Sequence, residues 1–592
     1  MPVLSAQAAN LLLLCGLFCG FLAGGLRDPL LAAPVLACIA LTALLGPRPA
    51  GAILRPWLYF LGWLVLSLCA SPQPLTGLAV LSRWGILALF FCLAASQWGE
   101  AERRHWFWGL TACAAVLAAC AVLVQVPGFP YVGILPPYYN YTCFVEAAFL
   151  CAAFVALLRK DGPPGLQRWM LGAVAAVALM EICWAHSRGA LVAAAAGTGV
   201  FVWRHAPGRR LLPLAVALAA ALAWTTWAKI DVVKAFKRPQ IWRAAVQCTL
   251  DHPVLGAGPG QFANAFLKHN FPVGYGIGNY RARADHAHSE AMEALAEFGF
   301  PGLWLLLAAL WAGLQLPPPE RSTWVREAGL AAFVGMSAQC LIDNMFQLPA
   351  LGLLYVSALA VARAPAVRKS VRPAPAELPI PQAPASETAP VGRPAWRALI
   401  WAGLLLAAGA WIPGWLVQGW QAASSGASDP GRRLGLLLRA VRVAPADPYL
   451  RENLYGFWLA QKPPQVEEAL SQLAQAEGLS PFNAVYPVVQ ARLLRSRGDW
   501  PRVLELAGRA VGLEPDYLQA RLLRAEALLR LGHPEEARGE LLEIDRRSAA
   551  LGARLNGGSG YEAFILGFDR AAYEELARSA AAPVNGARPR SG

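Results

Sequence analysis

Residues 30–46 read LLAAPVLACIALTALLG, a stretch without a single charge that closes on Pro47-Arg48-Pro49. That length and polarity match the ~20 residues a helix needs to cross a ~30 Å hydrocarbon layer. The unit recurs near residues 7–26, 56–72, 78–97, 105–126, 138–158, 169–186, 189–204 and 211–228. It appears again near 297–315, 329–347, 349–364 and 397–420. Together these blocks predict about thirteen spans. Composition agrees: of 592 residues, 56% are apolar and 15% charged, where soluble domains carry about 25% charged residues. The mean hydropathy is +0.41. The expected fold is all-α, a polytopic transmembrane helical bundle. No basic residues precede the first block, about Ala8–Gly25, so it reads as a retained helix and not a cleaved signal.

A formal charge of +14 would suit a nucleic-acid binder, but its distribution excludes that partner. Arg48 and Arg55, Arg103 and Arg104, then Arg159, Lys160 and Arg168 occupy alternate short loops. Arg204, Arg209 and Arg210, then Arg321 and Arg326, then the stretch from Arg363 to Arg397 continue the alternation. The connections at 74–77, 127–137 and 348 hold no Lys or Arg; Arg27, beside Asp28, and Arg188 are exceptions. Loops that stay in the cytoplasm retain such residues. The N-terminus is therefore expected in the cytoplasm, and an odd span count puts the C-terminus outside, in the periplasm if the cell has one. Eleven of the twelve cysteines lie in or beside apolar blocks, with Cys248 the exception. With no CxxC pair or metal-ligand spacing, neither a disulfide framework nor a zinc site is expected.

The gap at 229–290 then becomes a large external loop. Lys229, Lys234, Lys237, Arg238, Arg243, Lys268, Arg281 and Arg283 face only Asp231, Asp251, Asp285 and Glu290. Basic charge on the disfavoured side points to an anionic ligand. Segment 365–396 is rich in Pro and Ala and reads as an extended cytoplasmic linker. Residues 397–420 form the last span. From about Asp429 to 580, Leu/Ala-rich helices alternate with charge, and residues 581–592 read as a disordered tail. Ala444-Pro445, Ser480-Pro481 and Glu514-Pro515 end helices at a period near 34, and Gly498-Asp499 and Gly532-His533 mark turns. The run Leu531 to Ala537 looks like the turn of a tetratricopeptide repeat, which predicts a C-terminal TPR-like solenoid that docks a protein partner.

Four clusters carry candidate chemistry. Arg188, in Ser187-Arg188-Gly189, offers a planar fork of donors for an oxyanion, or serves as an interfacial arginine. Lys237, Arg238 and Arg243 flank Trp242 in a basic–aromatic cluster. Gly258 and Gly260 make a GxG turn whose N–H groups suit a phosphate, though a lone GxG is weak evidence. His286 and His288, in Asp285-His286-Ala287-His288-Ser289-Glu290, offer a general base near neutral pH. No third metal ligand stands at a diagnostic spacing, and no external loop holds an Asp-x-Asp pair, so no metal or cofactor is expected. Tyr139 and Asn140 open a span and suit a sugar pocket or an interfacial belt. Glu146 and Asp343 read as lying inside spans, with no role assigned.

In order along the chain, these pieces resemble the O-antigen ligase and polymerase superfamily. Ser187-Arg188-Gly189 is similar to the family's outer SRG turn, and Arg238 to Trp242 to its R-x-x-x-W entry. Pro253 to Phe262 is similar to its P-x-x-G-x-G-x-G-x-F segment. His288-Ser289, followed by Glu297-Phe298-Gly299, resembles its H-N pair and E-x-G, with Ser289 departing from the usual Asn, and Asp343 to Pro349 resembles the segment before its last span. The likeness covers about residues 1–364 and implies a GT-C-like, metal-independent, inverting glycosyltransferase. Such an enzyme moves a glycan from undecaprenyl diphosphate to an acceptor hydroxyl at the periplasmic face, with loop 229–296 as the catalytic loop. His288 would take the acceptor proton, and Arg188 and Arg238 would hold the diphosphate. Lys237, Arg243, Gly258, Gly260, His286, Tyr139 and Asn140 would bind substrate. The acceptor would be lipid A core (a ligase, the favoured reading), another glycan (a polymerase) or a protein. Membrane lipids complete the partners. A flippase of lipid-linked sugars is the alternative class; it predicts midplane charges and internal pseudo-symmetry. A repeat-bearing scaffold needs fewer spans than these.

Overall fold

The computed structural model describes residues 6–22, 29–46, 48–124, 139–205, 238–273, 280–281, 284–364, 392–551 and 567–581. Two compact units result, one from residues 1–262 with 286–412, the other from residues 263–285 with 413–592.

The first unit is a helical bundle. Its helices are α1 (Ala6–Leu22), α2 (Pro29–Leu45), α3 (Gly51–Cys69), α4 (Pro74–Gln97), α5 (Glu100–Val124), α6 (Tyr139–Leu158), α7 (Gly165–Trp184), α8 (Arg188–His205) and α9 (Arg238–Asp251). Helix α10 (Phe262–Lys268) belongs from Ala263 to the second unit, and the first resumes with α11 (Glu290–Gly313), α12 (Trp324–Cys340), α13 (Pro349–Ala362) and the first part of α14 (Arg393–Ser425). Each expected span but one falls on a helix; the block at 211–228 lies outside the described residues, as does most of the expected linker. Helix α14 begins at Arg393, inside the segment read as linker.

Among the described residues, five helices are long and apolar enough to cross a membrane: α3, α4, α6 from Tyr141, α7 and α11. Shorter apolar stretches lie at Gln7–Phe18, Val35–Leu45 and Pro349–Ala362. This is the architecture of a multi-pass membrane protein, in which each helix satisfies its own backbone where no water reaches. Pro74 and Pro349 stand in the first turns of α4 and α13, where a missing N–H costs nothing. Trp57, Phe60, Phe90, Phe91, Trp106, Phe107, Phe144 and Phe149 are fully buried and fill the bundle. Small residues set the closest crossing. A methyl group at Gly197 would come within 2.4 Å of Cys151 Sγ, and one at Gly335 within 2.7 Å of Cys151 Sγ and of the Ala193 carbonyl. Helices α6, α8 and α12 therefore approach through backbone.

The two ends of the bundle differ in chemistry. At one end, Arg159 donates to the Ser322 carbonyl at 2.8 Å, Arg204 pairs with Glu327 at 3.1 Å, and Arg326 lies 3.7 Å from Glu100. The basic loops gather there. At the other end the α3–α4 turn, the α7–α8 turn, the segment before α11 and the α12–α13 loop converge on one site.

The second unit contains α15 (Pro430–Val443), α16 (Pro448–Leu459), α17 (Val466–Leu479), α18 (Val485–Arg495), α19 (Trp500–Leu513), α20 (Leu518–Arg530), α21 (Pro534–Leu551) and α22 (Arg570–Ala581). Asp429, Asp447 and Asp499 cap α15, α16 and α19 by accepting backbone N–H groups. Gly498 (φ 75°) and Gly532 (φ 88°) make the expected turns. Ala491, Ala507, Ala510, Ala520 and Ala527, with Val488, Val503 and Leu523, form a buried seam through α18, α19 and α20. This is a helical-repeat region of the tetratricopeptide type. The unit also holds a two-strand hairpin, β1 (Pro272–Val273) and β2 (Tyr280–Arg281), antiparallel with Pro272 opposite Arg281.

Candidate active site

Helix α11 organises the site. Glu290, Glu293 and Glu297 stand at i, i+3 and i+7, so all three carboxylates project from one face. Each grips a different segment. Glu290 Oε1 accepts from the N–H groups of Met345 and Phe346 at 2.7 and 2.6 Å. Glu293 accepts from the Ala287 N–H at 3.0 Å and from Asn344 Nδ2 at 2.6 Å, and its Oε1 lies 3.3 Å from His286 Nδ1. Glu297 Oε1 accepts from the Phe262 N–H at 3.1 Å.

The same helix breaks at Gly299 (φ 71°, ψ −178°), two residues before Pro301. Proline supplies no N–H and its ring excludes the carbonyl four residues back, so carbonyls near the break need other donors. Loop 253–262 supplies them. Ala257 N–H reaches the Ala296 carbonyl at 2.9 Å, and Gly258 N–H reaches that of Glu297 at 3.1 Å. Trp63 Nε1 donates to the Phe298 carbonyl at 2.9 Å. In return, Phe300 N–H donates to the Pro253 carbonyl at 3.0 Å. Gly256, Gly258 and Gly260 all have positive φ. A methyl group at Gly258 would lie 2.8 Å from Ser71 Cβ, and one at Gly260 2.7 Å from Thr76 Cγ2.

The expectation that Gly258 and Gly260 present N–H groups to a phosphate is corrected by this geometry. Both are spent on Glu297, Gly258 on its carbonyl and Gly260 on its carboxylate. The glycines buckle the loop onto the broken helix. Gly299→Ala is accordingly expected to be severe, since a methyl group there would lie 2.1 Å from the Val254 carbonyl oxygen. Positive φ alone costs a non-glycine residue about 1–3 kcal/mol. The check is the thermal midpoint of the purified protein in detergent, which should drop by several degrees.

His288 lies between that gripped loop and the helix start. Its own φ is 50°, an unusual conformation for histidine. Ser289 is buried, and its Oγ accepts from the Met292 N–H at 3.3 Å, capping α11. Serine and asparagine cap helices about equally, which gives Ser289 a physical reason to stand where the resemblance has Asn. The His288 side chain is exposed, so solvent tempers its surroundings. Even so, the protein mass beside it, the Arg238 guanidinium and His286 together push the imidazole below its ordinary value of 6.5, against the pull of Glu293.

Arg238 begins α9. Its Nη2 donates to Asp343 Oδ1 at 2.6 Å, and its Nη1 donates to the Ile342 carbonyl. Arg188 begins α8, and Asp343 approaches that helix start as well: a methyl group at Gly189 would lie 2.8 Å from its Oδ2. Asp343 thus joins the Ser187-Arg188-Gly189 turn to Arg238. The sequence reading placed Asp343 inside a span; α12 ends at Cys340, and Asp343 sits in the 341–348 loop. Burial pushes its carboxyl up and Arg238 pulls it back.

The remaining expected residues scatter. His286 turns to Glu293. Arg243 is exposed, five residues from Arg238 and so about 140° round the helix. Lys237 and the side chains of Tyr139 and Asn140 lie outside the described residues. Glu146 is fully buried in α6.

Sequence reasoning missed Glu290, Glu293 and Arg83. Arg83 lies within α4, with its Nε buried and no hydrogen-bond partner for that atom among the described residues. Its field reaches Glu290 and Glu297. The signal was available: a charged residue inside a span is costly and marks function. An apolar cavity of about 640 Å³ starts at Glu290 and Ala291 and runs along Trp304, Leu307, Trp311 and Tyr355. Among the described residues, no three His, Cys, Asp or Glu side chains form a metal-holding group.

Residues 173–307, from α7 into α11, match the family described as "O-Antigen ligase". No curated protein sequence matches the chain. Among solved structures, the chain is similar to one titled "Crystal structure of APC/C hetero-tetramer Cut9-Hcn1", at 10% identity. That match covers 90% of this chain and 83% of the other, but its TM-score of 0.20 is too low to carry an argument.

Proposed function

We propose that the protein is a membrane glycosyltransferase of the O-antigen ligase and polymerase kind, with His288 as general base and Arg238 and Arg188 as anion-holding cations. One observation carries this reading. A histidine held below its ordinary pKa lies in the field of Arg238, and the carboxylate that holds Arg238 also abuts the helix start at Arg188. The cavity starting at Glu290 supports a lipid-linked donor, because an apolar channel beside a charged cluster suits a chain with an anionic head.

In the reaction, the acceptor hydroxyl loses its proton to the His288 imidazole as its oxygen attacks the anomeric carbon. The bond from that carbon to the diphosphate oxygen breaks, and its electron pair leaves with the diphosphate. Attack from the face opposite the leaving group inverts the configuration. Charge grows on the diphosphate, and preorganised guanidinium groups lower the barrier most where water is scarce. The donor is an undecaprenyl-diphosphate-linked glycan. Lipid A core is the acceptor we favour, ahead of a second carrier-linked glycan or a protein hydroxyl. The loop charges support a site on the periplasmic side of the inner membrane, with the N-terminus cytoplasmic and the repeats periplasmic. The proposal takes no metal as a participant.

The test is reconstitution in vesicles with carrier-linked glycan and lipid A core, scoring free undecaprenyl diphosphate and glycosylated acceptor. Release of both supports transfer. Translocation of intact donor with neither product would establish a flippase instead. Product only on a second carrier-linked glycan, or only on protein, would name the other two acceptors.

A further inference from the structure

Glu293 touches more of the site than any role so far given to it requires. Its carboxylate accepts from the main chain of Ala287, one residue before His288, and from Asn344, one residue after Asp343. Asp343 in turn holds Arg238. One side chain, only 14% exposed, therefore fixes the segment carrying the base and the segment carrying the arginine's partner. Its neighbours on α11 do not duplicate it: Glu290 grips residues 345 and 346, and Glu297 grips the glycine loop. We propose that Glu293 is the positioning residue that keeps His288 in register with Arg238. This rests on the assignment of His288 as base.

Among the described residues, three charged or titratable groups bear on the imidazole: Arg238 from α9, His286 from its own loop and Glu293 from α11, with Asp343 behind Arg238. Of these, Glu293 alone favours the imidazolium form. Glu293→Gln removes the charge, which weakens its charge-assisted holds on Ala287 and Asn344 to neutral hydrogen bonds and leaves Arg238 and His286 unopposed. The acid limb of the kcat/KM profile should move to lower pH. A loosened register should lower kcat about tenfold to a hundredfold, with KM for the donor little changed. His286→Ala, a change at a half-exposed side chain, removes one opposing group and should move the limb the other way. It supplies the reading if Glu293→Gln fails to insert.

The experiment uses full-length protein in vesicles with carrier-linked glycan, comparing wild type, Glu293→Gln, His286→Ala and His288→Ala. Opposite shifts of the limb support the proposal. A Glu293→Gln enzyme with unaltered limb and kcat overturns it, as does an unmoved limb in His286→Ala when that variant alone is available. If His288→Ala keeps the wild-type rate, the underlying assignment of the base fails, and that failure is visible whatever Glu293→Gln does.

Discussion

His288→Ala is expected to lower kcat for glycan transfer by about 10²–10⁴-fold, the range for a lost general base, while binding of the donor persists. The imidazole sits on a loop fixed at both ends, by Glu293 on Ala287 and by the Ser289 cap on α11. Truncation therefore removes the base without releasing the backbone. The sign of the pH dependence follows from its surroundings. With the pKa held below 6.5, His288 is mostly neutral at pH 7 and ready to accept a proton. Wild-type kcat/KM should be flat through neutrality and fall below the depressed pKa, as the imidazole charges. The variant's residual rate should lack that limb. A pH–rate series on both proteins decides the matter, and a limb preserved in the variant would assign it to another group.

Arg238→Ala is expected to lower kcat by about 10²–10³-fold and to weaken the donor. Two effects combine. The cation proposed to hold the leaving diphosphate disappears, and Asp343, which is buried, loses its partner, at a further cost in a poorly solvated site. Arg238→Lys should recover only part of the loss. A lysine keeps the charge, but its compact ammonium lacks the planar fork whose two nitrogens reach Asp343 and the Ile342 carbonyl separately. Rates and donor KM for both variants, beside the donor affinity of Asp343→Asn, give the check. Equal rates for Arg238→Lys and wild type would reduce the fork to a point charge.

The apolar blocks were readable because a bilayer leaves a chain few choices. A stretch such as 30–46 must pair its own backbone groups, and it folds as α2. The turns at Gly498 and Gly532 were equally readable, since positive φ favours glycine. The order of Arg188, Arg238 and His288 along the chain pointed to one site. What joins them did not show in the sequence, because it depends on partners far away. Ser67 reaches the Leu255 carbonyl at 2.7 Å across 188 positions, and Trp63 reaches that of Phe298 across 235. Those contacts decide that the glycine loop braces a broken helix. Asp343 was misplaced for a related reason: residues 341–348 are apolar enough to pass for helix, and only the grip of Glu290 on two of their N–H groups shows that they form a loop.

The grip of α11 on its neighbours runs largely through main-chain atoms: the N–H groups of Ala287, Met345, Phe346 and Phe262. A carboxylate that holds an amide proton is indifferent to the side chain carried there, provided it is not proline. All four of those side chains are buried, so packing, and not the hydrogen bond, decides what can stand there. Volume-conserving exchanges at these positions should therefore leave the hold of the three glutamates intact, and only proline would break it outright.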